Sequence, residues 1–398
     1  MSARFRSRAH ALAILSSAAL ALGLVLSPCL PGAAGGHAHA RAASPGQPSV
    51  LAQEEEASPR YRDLLARAQA GDAHAQNELG TMLASGRGMA KAPTEAVRWW
   101  TLAANAGQPD AQFNLALAYD QGVGVAQNAT QAAGWYEKSV QAGNPAAMYN
   151  LGGLYSTTSS GLPLNLERAV QLFESAAAKG HVKAMYNTAL AYARGSGVAR
   201  DDAKAAQWMQ KAAQAGHMRA QYALAQMYAH GLGVSKDVAK SAHWLELAAK
   251  NGHARAQYSY ALHCQQGQGT PQNPSAAVRW YKEAAARNHT GAMCNLALIL
   301  LEGKDAPRDN AEAERLLTTA SEMGDHKAQY NLGLLLLSGQ DLPQNTEQAY
   351  FWLSLAERGG VTEAQAHRKQ AAGELSRPRR EAVDGRVLSF RPKPAHIK

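Results

Sequence analysis

GQPDAQFNLALAYDQGVGVAQNATQAAGWYEKSVQA, residues 107–142, decides the fold. From Pro109 to Gln121 its apolar residues fall at the spacing of one helix face. Gly122-Val123-Gly124-Val125 then breaks the helix, because paired glycines favour turns. A second helix is expected from Asn128 to Gln141, with Asn128 or a nearby polar residue capping its start. Gly143 follows, where a left-handed glycine commonly closes a helix. The stretch reads as a helix–loop–helix hairpin.

The hairpin returns every 36 residues. Gly71, Gly107, Gly143, Gly180, Gly216, Gly252, Gly324 and Gly360 mark the starts, with one step of 37 and Asn288 standing where a further glycine is due. Four residues behind each landmark is an alanine, from Ala75, Ala111 and Ala147 to Ala328 and Ala364. Self-similarity at this period defines a stacked array. The expected fold class is all-α, an α/α superhelical solenoid of helix–loop–helix repeats, with eight repeats over 71–359.

With each landmark as position 1, position 10 is always tiny: Gly80, Ala116, Gly152, Ala189, Ala225, Ala261, Ala297 and Gly333. Small residues there let helix axes approach toward the short end of the ~8–10 Å range. Opposite them Trp99, Trp135, Trp208, Trp244, Trp280 and Trp352 recur, and their regular spacing assigns them to the core rather than to a sugar-stacking stripe. The Gly-x-Gly turn recurs at Gly86-Arg87-Gly88, Gly195-Ser196-Gly197, Gly231-Leu232-Gly233 and Gly267-Gln268-Gly269, and fails in the third, seventh and eighth repeats. No strand precedes it and no third glycine follows, so it reads as a turn and not as a phosphate loop.

The flanks differ from the array. Arg4, Arg6 and Arg8 precede an apolar run from Ala11 to Leu26 and the small-x-small site Ala38-His39-Ala40, so 1–40 is expected to be a secretory signal peptide. Pro28 before Cys29 departs from a lipoprotein box. Residues 41–60, rich in Pro, Ser and Ala with Glu54-Glu55-Glu56, read as a disordered linker, and 61–70 as an N-terminal capping helix. Residues 360–398 are expected to hold a C-terminal capping helix and a basic tail.

The net charge of +9 belongs to those flanks, since the acid-free leader and the Arg-rich tail hold the excess while 41–365 has equal numbers of acids and bases. A basic surface spread over the fold, as nucleic-acid binding requires, is therefore not indicated. A contact of the tail arginines with a membrane or an anionic polymer is the sharper alternative to simple capping. Cys264 and Cys294 lie on successive first helices about six residues apart in register, roughly 9 Å along the axis, which favours two buried thiols over a disulfide.

GHMRAQYALAQMYAHGLGVSKDVAKSAHWLELAAKN, residues 216–251, shows the column pattern most fully and resembles the Sel-1-like repeat family, a relative of tetratricopeptide repeats. The resemblance implies an adaptor or assembly scaffold. For exported bacterial members it implies an envelope regulator or partner-binding factor, most often periplasmic. Cysteine-rich relatives carry a disulfide in each repeat and have been linked to penicillin binding or hydrolysis. This chain lacks those paired cysteines. It also lacks Ser-x-x-Lys, His-Glu-x-x-His and Gly-x-Ser-x-Gly, so no enzyme, metal or cofactor is expected. A β-lactamase-like envelope hydrolase and a cell-wall polysaccharide binder stand as the alternatives.

On the first helix, positions 5, 9, 10 and 13 share the buried arc, and 7, 8, 11 and 14 the opposite one. By similarity with tetratricopeptide arrays that opposite arc lines a concave groove. Position 7 holds Phe113, Tyr149, Tyr186, Tyr222, Tyr258, Cys294 and Tyr330; position 8 holds Asn114, Asn150, Asn187, Ala223, Ser259, Asn295 and Asn331. Carboxamides both donate and accept, so an asparagine ladder could hold an extended peptide backbone. Tyrosines beside it would add stiff contact area. The plainer reading makes both columns packing consensus. His181, His217, His253 and His289 follow the landmarks as helix-start residues; successive repeats set them on the order of 10 Å apart, too far to share a metal.

Overall fold

A computed structural model describes residues 59–87 and 90–394. The expected signal peptide and most of the linker lie outside them. Nineteen α-helices and one short 3-10 turn make up the described residues, without a strand. The protein is an α/α superhelical solenoid.

The specimen repeat forms as its sequence dictates. Helix α4, Pro109–Gln121, begins with proline at a position where no amide bond is lost and ends on Gly122 in the left-handed region, φ 68°. Helix α5, Ala129–Gln141, starts on Asn128, whose side chain accepts the Gln131 amide. Before them stand α1 (Pro59–Gln69) and the first repeat, α2 (Ala73–Ser85) and α3 (Pro93–Asn105). After them come α6 (Pro145–Tyr155) with α7 (Leu166–Ala178), α8 (Val182–Arg194) with α9 (Asp202–Gln214), and α10 (Met218–His230) with α11 (Val238–Lys250). Then follow α12 (Ala254–Gln266) with α13 (Pro274–Ala286), α14 (Thr290–Glu302) with α15 (Asn310–Glu322), and α16 (His326–Ser338) with α17 (Thr346–Arg358). Each first helix packs between its own second helix and that of the preceding repeat.

Three columns explain the stacking. The landmark glycines take positive φ, and Asn288 does the same at 64°, the conformation that asparagine tolerates best among residues with a side chain. Position 6 is glutamine in five repeats, and its buried amide caps the end of the preceding second helix: Gln257 Nε2 donates to the Ala249 carbonyl at 3.1 Å and Gln329 Nε2 to that of Ser321 at 3.0 Å. The second glycine of the four described Gly-x-Gly turns sits on the preceding repeat's second helix. A Cβ on Gly124, Gly197 or Gly269 would lie 2.2 Å from a carbonyl oxygen of that helix's first residue, and one on Gly233 1.8 Å away. Where the motif is lost in the eighth repeat, the junction is made by polar groups instead: Asn310 Nδ2 donates to the Asp341 carbonyl at 2.7 Å and Arg308 pairs with the Asp341 carboxylate.

The tryptophans need a correction. Trp352 is buried, but Trp99, Trp135, Trp208, Trp244 and Trp280 are only half-buried, lying between successive repeats with Lys138 and Lys211 over two of the rings. The enclosed residue is the next one along: Trp100, Tyr136, Phe173, Met209, Leu245, Tyr281, Leu317 and Leu353. These face the tiny position 10, where a Cβ on Gly80, Gly152 or Gly333 would come within 2.7–2.8 Å of Trp100, Phe173 or Leu353.

At the C-terminal end α18 (Ala364–Gly373) and α19 (Arg377–Ser389) pack on α17, which buries eight consecutive residues from Ala349 to Ala356. Phe390 closes edge-on against Phe351 and Trp352. Part of the tail's positive charge meets acids of the array, through Arg386–Glu347 at 3.2 Å and Lys393–Glu322 at 2.6 Å.

Candidate functional site

The first helices place positions 7 and 8 side by side at every repeat. Tyr149, Tyr222 and Tyr258 are half-buried, while Tyr186 and Tyr330 are buried. Four of these rings lie against the histidine that opens the next first helix. Tyr149–His181, Tyr186–His217 and Tyr222–His253 stack at 4.6 Å between centroids, and Tyr258–His289 at 4.5 Å. Each of these histidines also caps its helix, Nδ1 accepting the amide of the alanine three residues on at 3.2 Å. The columns change together at two places, since Cys294 replaces the tyrosine where Asp325 replaces the histidine and Phe113 stands where Asn144 does; Tyr330, followed by Val361, meets His367 edge-on instead. That paired departure is the sequence signal for the stack, and it escapes a reading of one column at a time.

The asparagines are held from within. Asn150 Nδ2 donates to the Tyr136 hydroxyl at 3.0 Å and Asn295 Nδ2 to that of Tyr281 at 3.1 Å. Asn114 donates to Asn77 Oδ1 at 2.9 Å, and the buried Asn331 to Cys294 Sγ at 3.1 Å. A carboxamide has two N–H groups and an oxygen, so one such bond does not exhaust it, although Asn295 also bonds the Tyr258 side chain. Asn187 differs, because the corresponding residue of the preceding repeat is Phe173, which has no hydroxyl to receive its amide. Among the described residues, half-buried Asn187 therefore finds no hydroxyl at that place for its amide.

Burial shapes the electrostatics. It pushes the Cys294 thiol up to about 12, and Cys264 is likewise buried, raised and free, so both are inert packing groups. Desolvation, with Arg219 and Arg255 nearby, holds His253 at about 4, and desolvation with Arg255 holds His289 at about 4 against the opposing pull of Asp325. In the unfolded chain these imidazoles take protons near 6.5, so the unfolded state binds more protons between 6.5 and 4. Stability is accordingly expected to fall as pH drops through that window. Urea titrations from pH 7 to 4 check this: replacing both by asparagine, the capping residue at position 144, should flatten the slope, and an unchanged slope would contradict the assignment.

Eight matches to the Sel1 repeat family model tile this array: 73–108, 109–144, 145–181, 182–217, 219–253, 254–289, 290–325 and 326–361. The chain belongs to the Sel1 repeat family. Sel1 repeat arrays are scaffolds for protein–protein interaction, and the tetratricopeptide-like hairpins described above are their building unit. The crystal structure of a Sel1 repeat protein from Oxalobacter formigenes is similar, with 28% identity, a TM-score of 0.59, and coverage of 80% of this chain and 92% of that one. A putative Sel1 repeat protein from Klebsiella pneumoniae matches at 25% identity and a TM-score of 0.33, over 50% of this chain and 97% of its own. A protective antigen of uropathogenic Escherichia coli with an SLR fold matches at 24% identity and a TM-score of 0.31, over 83% and 94%. A search among curated proteins gave no match. Among the described residues of this Sel1 repeat protein, no helix is long and apolar enough to cross a membrane.

Proposed function

We propose that this Sel1 repeat protein is an exported, non-catalytic scaffold that binds a protein or peptide partner on its first-helix face, as an envelope regulator or assembly factor. One observation carries the reading. The glycine turns, the glutamine caps, the histidine caps and the residues facing position 10 are all consumed in building the stack, whereas the first-helix face keeps polar groups in register that the fold does not exhaust. The internal bonds to Asn150 and Asn295 fix the carboxamides before any partner arrives, which lowers the ordering cost of binding. Export rests on the leader sequence at 1–40, and the bacterial periplasm on the resemblance to exported members of the family.

The test replaces Asn150, Asn187 and Asn295 by alanine and compares partner capture by cross-linking in cells with mass spectrometry. Loss of the captured partner from a variant with unchanged helical content is the expected outcome. Full capture by the folded triple variant would overturn the reading.

A further inference from the structure

The array as a whole balances its charges, yet the first helices of repeats four to six do not. Helices α8, α10 and α12 carry Lys183, Arg194, Arg219 and Arg255 and not one carboxylate. Position 4 supplies three of these cations, one helical turn before the Tyr–Asn positions of the same face, and all three are exposed. Elsewhere position 4 is His74, Asp110, Ala146, Gly291 or Lys327, so Ala146 and Gly291 bound the run of three consecutive cations, and Lys327 stands one repeat beyond it.

The row is continuous. Lys183 acts electrostatically on both His181 and His217, Arg219 on His217 and His253, and Arg255 on His253 and His289, so neighbouring cations share the histidine between them. Asp325 closes it at the far end, beside His289. On and just before the second helices of repeats four and five several cations do pair locally: Arg200–Asp202 at 2.9 Å, Lys240–Asp237 at 3.4 Å and Lys250–Glu246 at 2.7 Å. Lys183 and Arg255 have no such carboxylate among the described residues. Position 8 along the row is half-buried Asn187, then the short side chains of buried Ala223 and half-buried Ser259.

We infer that this row, across repeats four to six, takes an extended acidic peptide segment of the partner. The inference rests on the first-helix face being the binding surface. Successive first helices lie on the order of 10 Å apart, and an extended chain advances about 3.3 Å per residue, so acidic residues at every third position meet successive cations. A single-stranded nucleic acid fits less well: it needs open aromatic faces for its bases, and here Tyr149, Tyr186, Tyr222 and Tyr258 each have a ring face covered by histidine.

The test uses the full chain and a fluorescent twelve-residue peptide with glutamate at every third position, its glutamine counterpart, and an oligothymidylate, read by anisotropy. The glutamate peptide is expected to bind, to weaken as salt rises, and to lose at least about tenfold in affinity with Lys183→Glu, Arg219→Glu and Arg255→Glu combined. The three glutamine substitutions at the same sites, which reverse no charge, should give a smaller loss in the same direction. Equal binding of the glutamine peptide, equal or tighter binding of the oligothymidylate, or indifference to both triple variants would overturn the inference. Should it fail while the alanine triple variant still loses its partner, the binding face stands and only its preference for acidic segments falls.

Discussion

Gly233→Ala is expected to destabilise the array by about 3 kcal/mol or more, among the largest effects of any single methyl group in the chain. The residue has φ 66°, and an added Cβ would lie 1.8 Å from the Asp202 carbonyl oxygen and 2.3 Å from its carbon. Both atoms belong to the backbone of α9, so no side chain can rotate away to relieve the overlap. The loop must lift from the preceding repeat or α9 must shift. Gly231→Ala provides the comparison. That position is also left-handed, φ 72°, but its nearest neighbours are Lys236 atoms at 3.5 Å. It should therefore lose only the conformational term of about 1–2 kcal/mol. Urea unfolding followed by circular dichroism separates the two. Equal losses would mean that the second glycine serves the turn alone and not the contact between repeats.

Tyr281→Ala is the second large effect. The residue is fully buried, its hydroxyl donates to Gln265 Oε1 at 2.7 Å, and it accepts from Asn295 Nδ2 at 3.1 Å. Removing the ring opens a cavity between α12, α13 and α14 and is expected to cost about 3–5 kcal/mol. Tyr281→Phe keeps the ring and removes only the two hydrogen bonds. Because Gln265 and Asn295 are both half-buried and can turn to water, that change should cost about 1 kcal/mol. Paired unfolding curves check the difference. A phenylalanine variant as unstable as the alanine one would show that the polar cluster, not the packed ring, holds the junction.

Much of this architecture is legible in the chain. Pro109, Gly122, Asn128 and Gly143 bracket the two helices of the specimen repeat where they are found, because caps and left-handed residues act locally. The tiny position 10 is equally plain, since only a crowded contact keeps a column at glycine or alanine through eight repeats. The partner of that column is not. Trp280 and Tyr281 are both large and adjacent, and periodicity along one helix places them about 100° apart without saying which turns toward the neighbouring first helix. Only the stacked structure encloses Tyr281 and leaves Trp280 at the margin.

The candidate face follows the same division. Its membership can be read from helical spacing, so Tyr149 and Asn150, or Tyr186 and Asn187, appear together in both sequence and structure. How much of each side chain is already committed cannot be read that way. His181 covers Tyr149, and Tyr136 receives the Asn150 amide, through contacts with residues 32 and 14 positions away. Asn187 escapes such a bond because Phe173 stands where Tyr136 and Tyr281 do elsewhere, a difference one repeat removed from the residue it affects.

The central claim, that a partner binds on the first-helix face, is tested most directly by site-specific photo-cross-linking in cells. A photoreactive residue is placed in turn at Asn187 and Ser259 on that face, and at the exposed Gln207 on the second helix α9. The account predicts a discrete cross-linked partner from positions 187 and 259 and none from 207. Cross-links from 207 alone, or equally from all three, would contradict it.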